Sequence, residues 1–146
     1  MKMFKKCIGM TCIVLCTFFH YQVLAQTQVT QVVYHIDDTQ VQGLKGLRNL
    51  RNHLDASPST KIIVVTHANG VDLLMEGAKD QKNQIEYAPL IADLKSRGIR
   101  FEVCEITLKN RGLKKEAFIL DADYTPSGVV RIADLQAREH YAYIKP

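Results

Sequence analysis

The sequence predicts an α/β fold: a three-layer α/β/α sandwich, with helices on both faces of a mainly parallel sheet of about five strands. Three observations carry that expectation. The nearly continuous apolar run Lys61-Ile62-Ile63-Val64-Val65-Thr66-His67 is the pattern of a strand buried on both faces, and such strands sit inside parallel sheets. Strand-like stretches alternate with stretches whose apolar residues recur at three- and four-residue steps. Most successive strands are separated by about 20 to 30 residues, the length of a helical crossover rather than a hairpin.

The chain opens with Lys2, Lys5 and Lys6, an apolar run from Cys7 to Phe19, and then Val23-Leu24-Ala25. This is the order of a secretory signal peptide: basic start, apolar middle, cleavage site. The apolar run is about 13 residues where a membrane span needs roughly 20, so cleavage after Ala25 is expected and a retained membrane helix is not. Leu15 ahead of Cys16 argues against a lipid anchor. Taking residues 1–25 from a chain of 146 leaves 121, enough for one domain over residues 26–146 and too few for two. The net charge of +4 loses three lysines and no acids with that segment, falling to +1, so a nucleic-acid footprint has no support. Cys7, Cys12 and Cys16 leave with it too, and Cys104 becomes the one cysteine of the exported chain. An intrachain disulfide is then impossible. A lone thiol in an oxidising compartment must be buried, paired between chains, or used chemically.

Val32-Val33-Tyr34-His35-Ile36 has the β-branched and aromatic content of a first strand, closed by Asp37-Asp38. From Gln42 to Ala56, Leu44, Leu47, Leu50 and Leu54 keep one face apolar, which predicts an amphipathic helix ended by Ser57-Pro58-Ser59. The apolar run at 61–67 is the second strand. Ala68-Asn69-Gly70 reads as a turn, and Val71 to Gly77 is open between a short helix and a loop. Tyr87, Leu90, Ile91 and Leu94 mark a second helix, with Pro89 in its first turn and Gly98 beyond its end. Arg100 to Ile106 alternates as a third strand with Cys104 near its end, and Thr107 to Phe118 reads as a basic loop with a helical turn. Ile119 to Tyr124 is a fourth strand. Thr125-Pro126 looks like an N-cap followed by a first-turn proline, opening a last helix towards Glu139. Tyr141-Ala142-Tyr143-Ile144 closes the sheet. Neither a P-loop nor a dinucleotide fingerprint is present, and no cofactor is expected.

In an open parallel sheet, ligands bind beyond the carboxyl ends of the strands. His35 with Asp37 and Asp38, His67 with Asn69-Gly70, and Cys104 all fall at that edge. Cys104 serves as a nucleophile only where its thiolate is favoured, and Lys109, Arg111, Lys114 and Lys115 follow it closely. The plain alternatives are a buried core cysteine, two strand-end histidines and a solvated basic turn. His35, Asp37, His67 and Cys104 are residue types that bind zinc or copper, but their spacing matches no strong metal motif, and no metal is expected.

Val33-Tyr34-His35-Ile36-Asp37-Asp38, Leu47-Arg48-Asn49 with Asn52-His53-Leu54, Lys61 to His67, Gly70-Val71-Asp72, Phe101-Glu102-Val103-Cys104 with Thr107-Leu108, Pro126-Ser127-Gly128-Val129 and Tyr141 to Pro146 together resemble the exported branch of the DsrE/DsrF-like sulfur-relay family. The resemblance spans essentially the whole exported chain. It implies a small parallel α/β fold assembled as a homo-oligomer, a trimer or hexamer, in the periplasm or outside the cell, with no membrane contact after cleavage. It implies that Cys104 accepts sulfur as a persulfide and passes it to a partner protein. His35 and His67 are then expected to favour the thiolate, and Asn69, Gly70, Lys109 and Arg111 to form the substrate side. The chain departs from the family pattern at Ile106, where asparagine is expected, and at Ala68, where glycine is expected. The alternatives are an oligomeric binding or scaffold protein that kept the fold without the chemistry, and a His/Cys metal-binding protein.

Overall fold

The computed structural model describes residues 29–146, and the expected signal segment at 1–25 lies outside them. Among the described residues, five strands form one wholly parallel sheet: β1 (Gln31–Asp38), β2 (Lys61–Asn69), β3 (Arg100–Cys104), β4 (Asp123–Thr125) and β5 (Ala142–Ile144). They lie in the order β4-β3-β2-β1-β5. Four α-helices connect them: α1 (Thr39–Ala56), α2 (Ala88–Ser96), α3 (Glu105–Arg111) and α4 (Gly128–Ala137).

That strand order dictates where the helices lie. The chain steps from β1 to β4 in one direction, so right-handed crossovers put α1, α2 and α3 on one face. The connection from β4 to β5 runs back across the sheet, and the same handedness puts α4 on the other. The core divides accordingly. Tyr34, Ile36, Val64, Phe101 and Val103 of the sheet pack with Leu47, Leu50, Leu54, Ile91, Leu94 and Leu108 on the larger side. Val33, Ile63 and Val65 pack with Ile132 and Leu135 of α4 and with Tyr141 on the smaller one. Alternation along β3 sends Phe101 and Val103 to the first face, and so turns Glu102 and Cys104 towards α4.

The helices begin and end for local reasons. Asp38 caps α1 by accepting from the N–H groups of Gln40 and Val41, which starts the helix three residues before the expected Gln42. Pro89 stands in the first turn of α2, where its missing N–H costs nothing. Gly112 ends α3 at φ 63°, the left-handed conformation in which glycine bears no Cβ penalty. A short 3-10 helix, Gly70–Leu74, takes the first part of the stretch whose type the sequence left open, and Met75 to Gly77 is irregular. At its start, a Cβ on Gly70 would lie 2.0 Å from the carbonyl oxygen of Ile36, so only glycine lets that turn close against β1.

Three boundaries differ from the sequence expectation. The third strand stops at Cys104, and the stretch read as a basic loop contains α3, because Leu108 has a core to enter and pulls residues 105–111 into helix. The fourth strand is Asp123–Thr125 instead of 119–124. Phe118 and Ile119 enter the core from an irregular segment, with the Ile119 N–H donated to the carbonyl of Leu74. The last helix is capped by Ser127, whose hydroxyl accepts from the Val130 N–H, and not by Thr125. Pro126 therefore precedes the cap.

Candidate functional site

Adjacent strands whose connections leave to opposite faces open a crevice at their carboxyl ends. β3 and β4 are such a pair, since the chain leaves β3 into α3 on one face and leaves β4 for α4 on the other. A cavity of about 370 Å³ occupies that crevice, lined by His67, Ala68, Cys104, Ile106, Thr107, Asn110, Arg111, Ser127 and Val129. Cys104 sits at its base, 4 % exposed.

The thiol is held by backbone. It lies between the first turn of α3 and the first residue of α4, and hydrogen bonds reach it from the N–H groups of Gly128, Thr107 and Ile106 and from the Thr107 hydroxyl. Burial pushes its pKa up, but these donors more than offset the burial and hold it below its ordinary value of 9.0. The approach of α4 depends on Gly128. A Cβ there would stand 3.2 Å from the Cβ of Cys104 and 3.2 Å from that of His67. Ile106, in place of the asparagine expected, gives the thiol its main-chain N–H and sets an exposed apolar side chain at the cavity.

Ala68 takes φ 49°, the left-handed region where a glycine is at ease. Two hydrogen bonds impose that conformation. Its N–H is donated to the Thr107 hydroxyl at 3.1 Å, and its carbonyl accepts from the Arg111 guanidinium at 3.1 Å. Arg111 is also paired with Asp72 at 2.7 Å, so its charge is largely balanced within the protein. The cavity walls are otherwise mostly apolar, with Ser127 and Asn110 as further polar groups.

His67 lies beside Cys104 on the α4 face, one residue past the Thr66–Val103 pairing of β2 and β3. Its Nε2 is 2.6 Å from Nε2 of His35, and His35 Nδ1 is 2.7 Å from the hydroxyl of Tyr143. Burial is the leading cause that lowers both imidazole pKa values, with the neighbouring His67 adding to the effect on His35. Asp37, ion-paired with Lys145 at 2.6 Å, acts against both shifts.

Of the residues predicted from sequence, Cys104, His67 and Arg111 meet at the cavity, and His35 joins through His67. Asn69, Gly70 and Lys109 do not line it. The carbonyls of Asn69 and Gly70 instead accept from Thr39, and Gly70 is buried against β1. Thr107, Ser127, Gly128 and Tyr143 were not singled out individually from the sequence. The signal for Ser127 and Gly128 is a capping residue followed by glycine directly after a short strand. Among the described residues, no three or more His, Cys, Asp or Glu side chains gather as a metal ion requires, and no helix is long and apolar enough to cross a membrane.

Residues 33–146 match the model of the DsrE/DsrF-like family. Among solved structures, MTH1491 from Methanobacterium thermoautotrophicum, described as a protein of unknown function, is 31% identical. It superposes with a TM-score of 0.70 over 80% of this chain and 99% of its own. The ychN protein from E. coli is 13% identical with a TM-score of 0.62, over 80% of this chain and 100% of its own, a likeness of fold alone. No curated protein matches the chain.

Proposed function

The chain belongs to the DsrE/DsrF-like family, and from that premise we propose that it is a sulfur carrier which holds sulfane sulfur as a persulfide on Cys104. Membership supports a sulfur-relay role at the level of the family. The single observation that carries the reading to this residue is the thiol's setting: four donors around one sulfur, at the floor of a cavity open to a ligand.

In the proposed step, the Cys104 thiolate attacks the outer sulfur of a donor persulfide, R–S–SH. The new S–S bond forms as the bond from that sulfur to the donor sulfur breaks, and the donor leaves as R–S⁻. Cys104 then carries S–SH. An acceptor thiolate attacks the same outer sulfur, takes it, and releases Cys104 as thiolate. Donors that hold a thiolate stabilise Cys104 both before the first step and as the leaving group of the second. A low thiol pKa therefore serves delivery as well as loading.

The basic start, apolar run and Val23-Leu24-Ala25 of the first 25 residues support export to the periplasm or beyond. We assign the chain to a homo-oligomer, trimer or hexamer, that meets its sulfur donor and acceptor at the cavity mouth. Exposed Ile106 and Val129 at that mouth, with exposed Val130 next along α4, support a protein-facing surface. A non-catalytic scaffold is the second reading, favoured by the burial of Cys104. Mass spectrometry after exposure to an organic persulfide separates the two. The carrier gains one reductant-sensitive sulfur and Cys104→Ser gains none, whereas a scaffold gains none in either form.

A further inference from the structure

Tyr143, His35, His67 and Cys104 come from β5, β1, β2 and β3, four adjacent strands, and all lie on the α4 face. Tyr143 pairs with Val33, which packs on that face, and His35 lies two residues further along β1. His67 likewise lies two residues beyond Val65 on β2, and Cys104 two beyond Glu102 on β3. The first three are joined by hydrogen bonds of 2.7 Å and 2.6 Å, and Tyr143 at the outer end is 41 % exposed. The row therefore crosses the sheet from solvent to the wall of the Cys104 cavity.

We propose that Tyr143, His35 and His67 form a proton row serving the Cys104 cavity, in which Tyr143 is a positioning residue that sets which ring nitrogen of His67 bears hydrogen. The use of the row rests on the carrier reading. Its existence does not.

The chemistry follows from counting hydrogens. Two neutral imidazoles joined Nε2 to Nε2 share one hydrogen between those atoms, so each holds its single N–H in one of two coupled arrangements. In the first, His67 donates from Nε2 to His35, His35 donates from Nδ1 to the Tyr143 oxygen, and His67 Nδ1 has a free lone pair. In the second, Tyr143 donates to His35 Nδ1, His35 donates from Nε2 to His67, and His67 Nδ1 carries hydrogen. Because His35 occupies Nε2, the proposed row reaches a cavity occupant through Nδ1 of His67.

One proton entering at His67 Nδ1 converts the first arrangement to the second. The His67 Nε2 hydrogen moves to His35, the His35 Nδ1 hydrogen moves to Tyr143, and the Tyr143 hydroxyl hydrogen leaves to water. No charge is left on the row, and the reverse passage returns a proton to the cavity. The row thus removes the Cys104 proton as sulfur is taken up and supplies one to a departing thiolate. Asp37 and Lys145, the charged pair beside the imidazoles, largely cancel each other. From the α4 side, Gly128 contributes backbone and no charge. Burial keeps both rings neutral at neutral pH, the state the exchange needs.

The test reads ring-nitrogen NMR and sulfur transfer on the same samples of the protein, Tyr143→Phe and His35→Gln. Wild type is expected to show a scalar coupling between the two Nε2 atoms across their hydrogen bond, and a His67 tautomer that changes in Tyr143→Phe. Single-turnover uptake from an organic persulfide is expected to slow on the order of ten-fold or more in both variants below the thiol pKa, and to converge with wild type where Cys104 is already ionised. Wild-type uptake should carry a solvent deuterium isotope effect that the variants reduce. An unchanged tautomer with unchanged rates in Tyr143→Phe would overturn the proposal, as would absence of the coupling in wild type. If wild type takes up no sulfur while coupling and tautomer respond as expected, the row stands and the carrier reading fails.

Discussion

A thiol nine-tenths buried is ordinarily a poor nucleophile, because burial penalises the charged thiolate. At Cys104, hydrogen bonds that arrive from two helices and from one hydroxyl oppose this penalty. Thr107 has the most to do, since its oxygen both donates to the thiol and accepts the Ala68 N–H that fixes the left-handed turn after His67. Thr107→Val keeps the shape and deletes both bonds. It is expected to cost about 1–2 kcal/mol of stability, from the unpartnered Ala68 N–H and the strained turn it no longer holds. The Cys104 pKa is expected to rise in the same variant, and chemical denaturation with thiol titration on one sample checks both. Cys104, His35 and His67 were legible in the sequence because strand ends can be read from apolar runs. Ser127 and Gly128 were masked by Thr125-Pro126, which imitates a cap two residues early, and Tyr143 by its place on an edge strand far along the chain.

At the scale of elements, α4 is the part on which the site depends. Among the described residues it is the one helix on its face, held by Ile132 and Leu135 against Val33, Ile63 and Val65, with Arg131 reaching the buried Glu102 at 2.9 Å. Leu135→Ala removes its most buried anchor and is expected to cost about 2–5 kcal/mol. Loosening α4 withdraws the Gly128 N–H from the thiol, so a milder truncation, Ile132→Val, is expected to raise the Cys104 pKa before it unfolds the protein. Thiol titration in native conditions measures that. The major helices and the first two strands could be read from periodicity because each has a continuous apolar stripe. The bounds of α3 and β4 could not, the two being seven and three residues long and ordered by the core they dock into.

The molecule as a whole places its chemistry through connection direction. Three crossovers one way and one back put the crevice between β3 and β4, and the row of Tyr143, His35 and His67 crosses the sheet on the face that α4 only partly covers. That half-buried histidine pair gives the fold a pH dependence with a definite sign. Both pKa values are lowered in the folded state from 6.5, so below that value the unfolded chain binds more protons. The stability is fully present above 6.5 and is lost as pH falls through the lowered values. The melting temperature is therefore expected to fall between about pH 7.5 and about pH 5.5, and His35→Gln is expected to flatten the fall. The order of elements, and with it the sheet's parallel character, was legible from the alternation of strand and helix patterns. Strand order was not, because nothing in local sequence says that β5 returns to the far side of β1.

That main-chain and hydroxyl donors hold Cys104 as a usable thiolate in the folded protein can be checked by the pH dependence of its alkylation under native conditions. Reaction without unfolding is expected, with a midpoint below the ordinary thiol value of 9.0 that moves upward in Thr107→Val. A thiol that reacts only as fast as the protein unfolds, or one whose midpoint lies at or above that value, would contradict it.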